Sequence, residues 1–138
     1  MESDLEQARQ AYLAGDLQAA LGMLRRINEH QPGQAEVNLC MGQVHLKLGN
    51  YTEAQGWFQE ASRLSQPELA PEAWEGFAEC FLGRDPSHAQ AVCWLRFAAE
   101  AFERHQKGED ALRCWRRVLQ LQPDDSEARQ RLESWVDL

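Results

Sequence analysis

One spacing limits what this chain can fold into. Gly15-Asp16 recurs as Gly49-Asn50, Ala20 as Ala54, Leu24 as Phe58 and Ile27 as Ala61, each pair 34 residues apart. Ala8 and Gly42 share the offset, and Pro32 and Pro67 miss it by one. A fixed period of this length marks stacked copies of one supersecondary unit, each too small to bury its own apolar face. The fullest copy runs from Ala35 to Glu68, in two amphipathic halves hinged at Gly49-Asn50. Its first half carries Met41-Gly42 and then His45; its second carries Ala54, Phe58 and Ala61.

Each half places apolar residues at the i, i+3, i+4 and i+7 spacing of an amphipathic helix. Small residues (Ala8, Gly42, Ala78, Ala20, Ala54) let helix backbones approach, and Leu24, Phe58, Phe77, Phe81 and Trp115 fill the space beyond them. Gly15 and Gly49 permit the positive φ of a helix C-terminus, and Asp16 and Asn50 can cap the next helix. Pro32, Pro67 and Pro123 end second halves, and Pro71 suits a first turn. Helices are predicted near 2–14, 17–30, 35–48, 51–65, 71–83, 87–105, 109–121 and 125–136.

These residues resemble the tetratricopeptide repeat, whose pattern is W-x2-L-G-x2-Y, then A-x3-F, then P. Asn38, Met41, Gly42 and His45 fill the first half in the central copy, and Ala54 and Phe58 the second. The N-terminal copy keeps Ala20, Leu24, Ile27 and Pro32 but only Ala8 of the first half, as an end repeat would. A third first half, with Trp74, Phe77, Ala78 and Phe81, follows 36 residues after the central one, so two residues are inserted around 66–70. A last second half appears at Ala111, Trp115, Val118 and Pro123, preceded by Leu95, Ala98, Ala99 and Phe102. Ala111 lies 57 residues after Ala54, so one repeat is short by 11 and the register breaks between Gly83 and Ala91.

The resemblance implies an all-α, right-handed solenoid of antiparallel helix pairs. Residues 1–138 are expected to form one domain with repeats near 1–34, 35–68, an irregular 69–91, and 92–125, then a capping helix over 125–138. The 87–105 segment is apolar over a broad surface (Val92, Leu95, Ala99 and Phe102, widened by Cys93, Trp94, Phe97 and Ala101). It is expected to serve as second helix to Pro71–Gly83 and also to pack on 109–121; a break near Ala91 is the alternative. In the last segment Ala128, Leu132, Trp135 and Val136 share one side, which reads as a cap, or as a Trp135 anchor for a second protomer.

Composition narrows the function. Among 138 residues the net charge is -8, with pI near 5.0, which argues against a nucleic-acid partner. There is no apolar signal segment and no apolar run of about 18 residues, so no membrane role and a cytoplasmic location are expected. Cys40, Cys80, Cys93 and Cys114 lack C-x-x-C spacing and read as reduced, buried small hydrophobes. His30, His45, His88 and His105 form no H-E-x-x-H, and no Walker loop, G-x-S-x-G or G-x-G-x-x-G occurs. No enzyme activity, metal or cofactor is expected. His45 takes the aromatic place of its repeat; Trp74, Trp94 and Trp115 fall on core positions, and Trp57 reads equally as groove filler or partner contact.

In proteins of this family the first helix of each repeat lines a concave surface that holds a peptide or helix. The expected groove residues are Leu5, Arg9, Tyr12 and Leu13; then Leu39, Gln43, Leu46 and Lys47, with Glu36 beside them; then Glu72, Glu75 and Glu79. The leucines and Tyr12 suit an apolar anchor, and the acids, extended by Glu100 and Glu103, suit a basic end. The acids also occupy the surface that would clamp a chaperone's C-terminal carboxylate, which disfavours that ligand. The expected function is a protein-interaction scaffold or chaperone-like adaptor. A self-associating repeat protein, forming a homodimer through Trp135 or Trp57, is the alternative, and an enzyme is a distant third.

Overall fold

A computed structural model describes residues 3–64, 70–84 and 89–136 of the chain. Their regular structure is helical: α1 (Asp4–Leu13), α2 (Leu17–His30), α3 (Ala35–Lys47), α4 (Tyr51–Leu64), α5 (Ala70–Arg84), α6 (Ala89–Arg104), α7 (Gly108–Leu121) and α8 (Ser126–Val136). Each lies within two residues of the helix that apolar spacing predicts. Consecutive helices pack on one another along the chain, the arrangement of a right-handed α-solenoid. The insertion at 66–69, Pro67, the Asp85-Pro86-Ser87 start signal and the side chains of Trp135 and Val136 lie outside the described residues.

The turns explain the repeat. At the end of α1 the Gly15 N–H donates to Tyr12 O and the Asp16 N–H to Ala11 O. At the end of α3, Gly49 donates to Leu46 O and Asn50 to His45 O. Both glycines take positive φ, +85° and +80°, so the recurring glycine closes the same left-handed helix end twice. Asp16 then caps α2, its carboxylate accepting from the Ala19 N–H at 3.2 Å. The turn after α6 repeats the pattern, Gln106 donating to Glu103 O and Lys107 to Phe102 O. Here the left-handed position is held by Gln106 (φ 61°), with no glycine to relieve it.

Three apolar clusters run along the stack. The first joins α1, α2 and α3 around Ala8, Leu21, Leu24, Val37, Met41 and Val44, with Trp57 packed against it. The second joins α3, α4 and α5 around Leu39, Ala54, Phe58, Ala73 and Cys80. Phe58 is fully buried because two glycines make room for it. A Cβ on Gly42 would stand 2.7 Å from its Cε1, and one on Gly76 would stand 2.5 Å from the same atom. The third cluster joins α5 to α8 around Leu95, Phe102, Trp115, Val118 and Ala128.

The α6 helix has the double role that its broad apolar surface predicts. It packs on α5 and on α7, and it runs unbroken through Ala91. Its turn into α7 has the same hydrogen bonds as the turn from α3 to α4, and α6 is packed between α5 and α7. Of the four cysteines, Cys40, Cys80 and Cys114 are buried, as expected, but Cys93 is exposed, because it lies on the side of α6 away from both neighbours. At the far end, the nearly buried Asp125 accepts from the Ala128 N–H at 2.9 Å and pairs with Arg96, which also holds Glu127 at 2.8 Å. Those bonds fix the start of α8 against α6.

Candidate partner-binding groove

The helices α1, α3 and α5 lie side by side, and ion pairs cross from α1 to α3 and from α5 to α7. Arg9 of α1 is 3.2 Å from Glu6 and 3.6 Å from Glu36 of α3. Cys40, one turn beyond Glu36, lies beneath Arg9; burial pushes its thiol up, against the lowering effect of the Arg9 hydrogen bond. Tyr12 is half-buried on the first cluster, and burial likewise raises its phenol. On α3, Glu36, Cys40, Gln43 and Lys47 form one stripe, with Gln43 partly exposed and Lys47 exposed.

The predicted residues do not all stand open on this face. Leu13 does: it is 81% exposed at the end of α1. Leu39 does not. At 3% exposure it lies in the α3–α4–α5 cluster, and Leu46 packs against the same cluster. Both leucines point along the seam where α5 docks on α3, so their apolar character serves the stack. Leu5 packs on the first cluster and lines a hollow of about 600 Å³ at the outer end of α1 and α2, with Met23, Ile27 and His30.

The acidic half is also different from the expectation of a free patch. Glu75 accepts two hydrogen bonds from Arg113 of α7, at 2.6 and 2.7 Å. Glu79 accepts two from Arg117, at 3.1 and 3.4 Å. Glu72 is 3.5 Å from Lys107. The first two pairs share a separation of 38 residues, so α5 and α7 run in the same direction with turns in step. The Glu75 bond holds the Arg113 guanidinium charged, above its usual range, with Asp110 adding to the effect at 2.7 Å. A cavity of about 310 Å³ remains among Glu75, Glu79, Arg113, Arg116, Arg117 and Gln120. Glu103 is likewise engaged, accepting from the Trp115 indole N–H at 2.7 Å and pairing with Arg131.

Sequence spacing hides these α7 residues, because α7 carries a second-helix pattern, Ala111, Trp115 and Val118, which puts it on the far side of a regular stack. One signal points to them. Glu75 and Glu79 on α5 match Arg113 and Arg117 on α7, each pair one helical turn apart, and such ladders align two helices.

Paired antiparallel helices, recurring glycine turns and a 34-residue period define the class as an α-solenoid of tetratricopeptide type. The family profile described as "Tetratricopeptide repeat" matches residues 11–75. Among solved structures, the chain resembles the type III secretion translocator chaperone SycD of Yersinia enterocolitica, crystallised as an alternative dimer. The identity is 21%, the TM-score 0.76, and the match covers 91% of this chain and 97% of that one. It also resembles MamA, at 16% identity and TM-score 0.57, over 90% of this chain and 79% of that one. No curated protein sequence matches the chain.

Proposed function

We propose that the chain is a non-catalytic adaptor that binds a segment of a partner protein along the face formed by α1, α3 and α5. The observation that carries this reading is the alignment of those helices on one side, with Leu13, Gln43 and Lys47 accessible beside carboxylates that are already ion-paired. A chaperone-like role is supported by the likeness in fold to SycD, a translocator chaperone. No helix of the described residues is long and apolar enough to cross a membrane, and the proposed site of action is the cytoplasm.

The test is a photo-crosslinking amino acid placed at Gln43 on the proposed face and at exposed Gln59 on α4. A discrete protein captured in source cells from position 43 and not from 59 is the expected result. Capture at 59 alone, or at both equally, would defeat the groove reading. Self-association is the second reading, favoured by Phe97, which is 56% exposed on α6. Light scattering after gel filtration across concentrations separates the two, since a strict monomer eliminates the second.

A further inference from the structure

The occupant's chemistry can be read from the charges that the face leaves unspent. On α3 and α5 the carboxylates of this face are already held: Glu36 by Arg9, Glu72 by Lys107, Glu75 by Arg113 and Glu79 by Arg117. A basic residue of a partner would have to displace a cation already in place, exchanging one ion pair for another with little net gain. Lys47 is in the opposite position. It is exposed at the end of the α3 stripe, and among the described residues it has no ionic or hydrogen-bonded partner. Leu13 precedes it by one 34-residue period, at the equivalent end of α1, one turn past Arg9. Apart from Phe97 on α6, Leu13 is the one large hydrophobic side chain left exposed among the described residues.

Resting on the adaptor reading, we infer that the last turns of α1 and α3 form a docking corner for a partner segment with one apolar side chain and a nearby carboxylate. The apolar side chain seats on Leu13 and Tyr12, where covering Leu13 removes apolar surface from water. The carboxylate meets Lys47. This reverses the sign expected from the sequence, where unpaired acids point to a basic partner. The chain's net charge of -8 restricts the acid to one or two residues, because a longer acidic run is repelled by the rest of the surface. Lys47 thus acts as a local selector within an otherwise charge-balanced groove.

The experiment selects a phage-displayed library of random 12-residue peptides on the wild-type chain, then measures the selected peptides against Leu13→Asp and Lys47→Glu. Both positions are exposed, so circular dichroism should show unchanged helicity for both variants. Peptides enriched in an apolar residue close to Asp or Glu are expected. They should lose binding to Leu13→Asp and weaken about fivefold on Lys47→Glu, the upper end for one exposed ion pair. Selection repeated on Lys47→Glu should turn the acidic preference into Lys or Arg. Peptides that depend on Leu13 but show no acidic enrichment, or ignore Lys47→Glu, overturn the inference and leave the groove reading standing. Peptides that bind without regard to Leu13, or no peptides at all, defeat the inference together with the groove on which it rests.

Discussion

Substituting Gly76 with alanine should reveal how tightly α5 is held on α4. A Cβ added at position 76 stands 2.5 Å from Phe58 Cε1 and 2.8 Å from Cε2, against an optimal carbon–carbon separation of about 3.5–4.0 Å. The ring is buried to 1% exposure and packed against Gly42 along its Cδ1–Cε1 edge, so it has little room to move. Overpacking of this kind costs about 1–3 kcal/mol, while replacing a helical glycine by alanine returns roughly 1 kcal/mol through backbone entropy. Gly56, midway along α4, isolates the second effect, because a Cβ added there meets nothing within 4 Å. Gly56→Ala is therefore expected to be stabilised by about 1 kcal/mol, and Gly76→Ala to lie about 1–3 kcal/mol below it. In urea, with a slope of about 2 kcal/mol/M, that gap separates the two midpoints by roughly 1 M when helicity is followed by circular dichroism. Repeating the pair in a Phe58→Leu background should shrink the gap, because the atoms that clash are gone. Equal midpoints for the two variants, or a gap unchanged by Phe58→Leu, would refute the wedge.

Four further outcomes follow from the structure. Gln106→Gly should raise stability by about 1 kcal/mol in the same urea assay, since a left-handed residue with a side chain costs roughly 1–2 kcal/mol. Glu75→Lys should lower stability by about 1 kcal/mol, discounted for the exposure of Arg113, and adding Arg113→Glu should restore much of it. Burial lowers the His45 pKa, opposed by Glu53 at 3.4 Å and aided by Arg25, so the folded state prefers the neutral ring. The stability this contributes is present above the unfolded value near 6.5 and is lost as pH falls through the folded value; His45→Phe should flatten the pH dependence of the urea midpoint in that window. An aromatic disulfide reagent at pH 8 should titrate one fast thiol in the native chain, exposed Cys93, while buried Cys80, pushed up to about 11, and Cys114, raised further, react only on unfolding.

Local features were legible in the sequence, and long-range partners were not. Gly49, Ala54 and Phe58 announce a helical hairpin because turn chemistry and 3.6-residue periodicity act over a few residues. The stacked, all-helical fold follows from repeating them at a fixed period, and even the double duty of α6 follows from the breadth of its apolar surface. Leu39 shows where this reasoning stops. It lies one turn before Gln43, which stays accessible, and only the docking of α5 turns Leu39 into core. The acids of α5 fail in the same way. Glu75 and Glu79 look like a solvated stripe until α7 arrives with Arg113 and Arg117, and the irregular spacing after Gly83 hides that meeting from any count based on the repeat.

The change in what lies between neighbouring helices of this face gives the molecule unequal joints. Between α3 and α5 the joint is greasy, made of Leu39, Leu46 and Ala73; between α5 and α7 it is a ladder of arginine and glutamate. A hydrophobic joint weakens on cooling and is strengthened by salts that are excluded from the surface, whereas an exposed ionic one is loosened by salt screening. In a stack where each unit leans mainly on its neighbours, ionic strength therefore becomes a dial on one end of the array only, softening the α7–α8 end while the glycine-wedged centre keeps its shape.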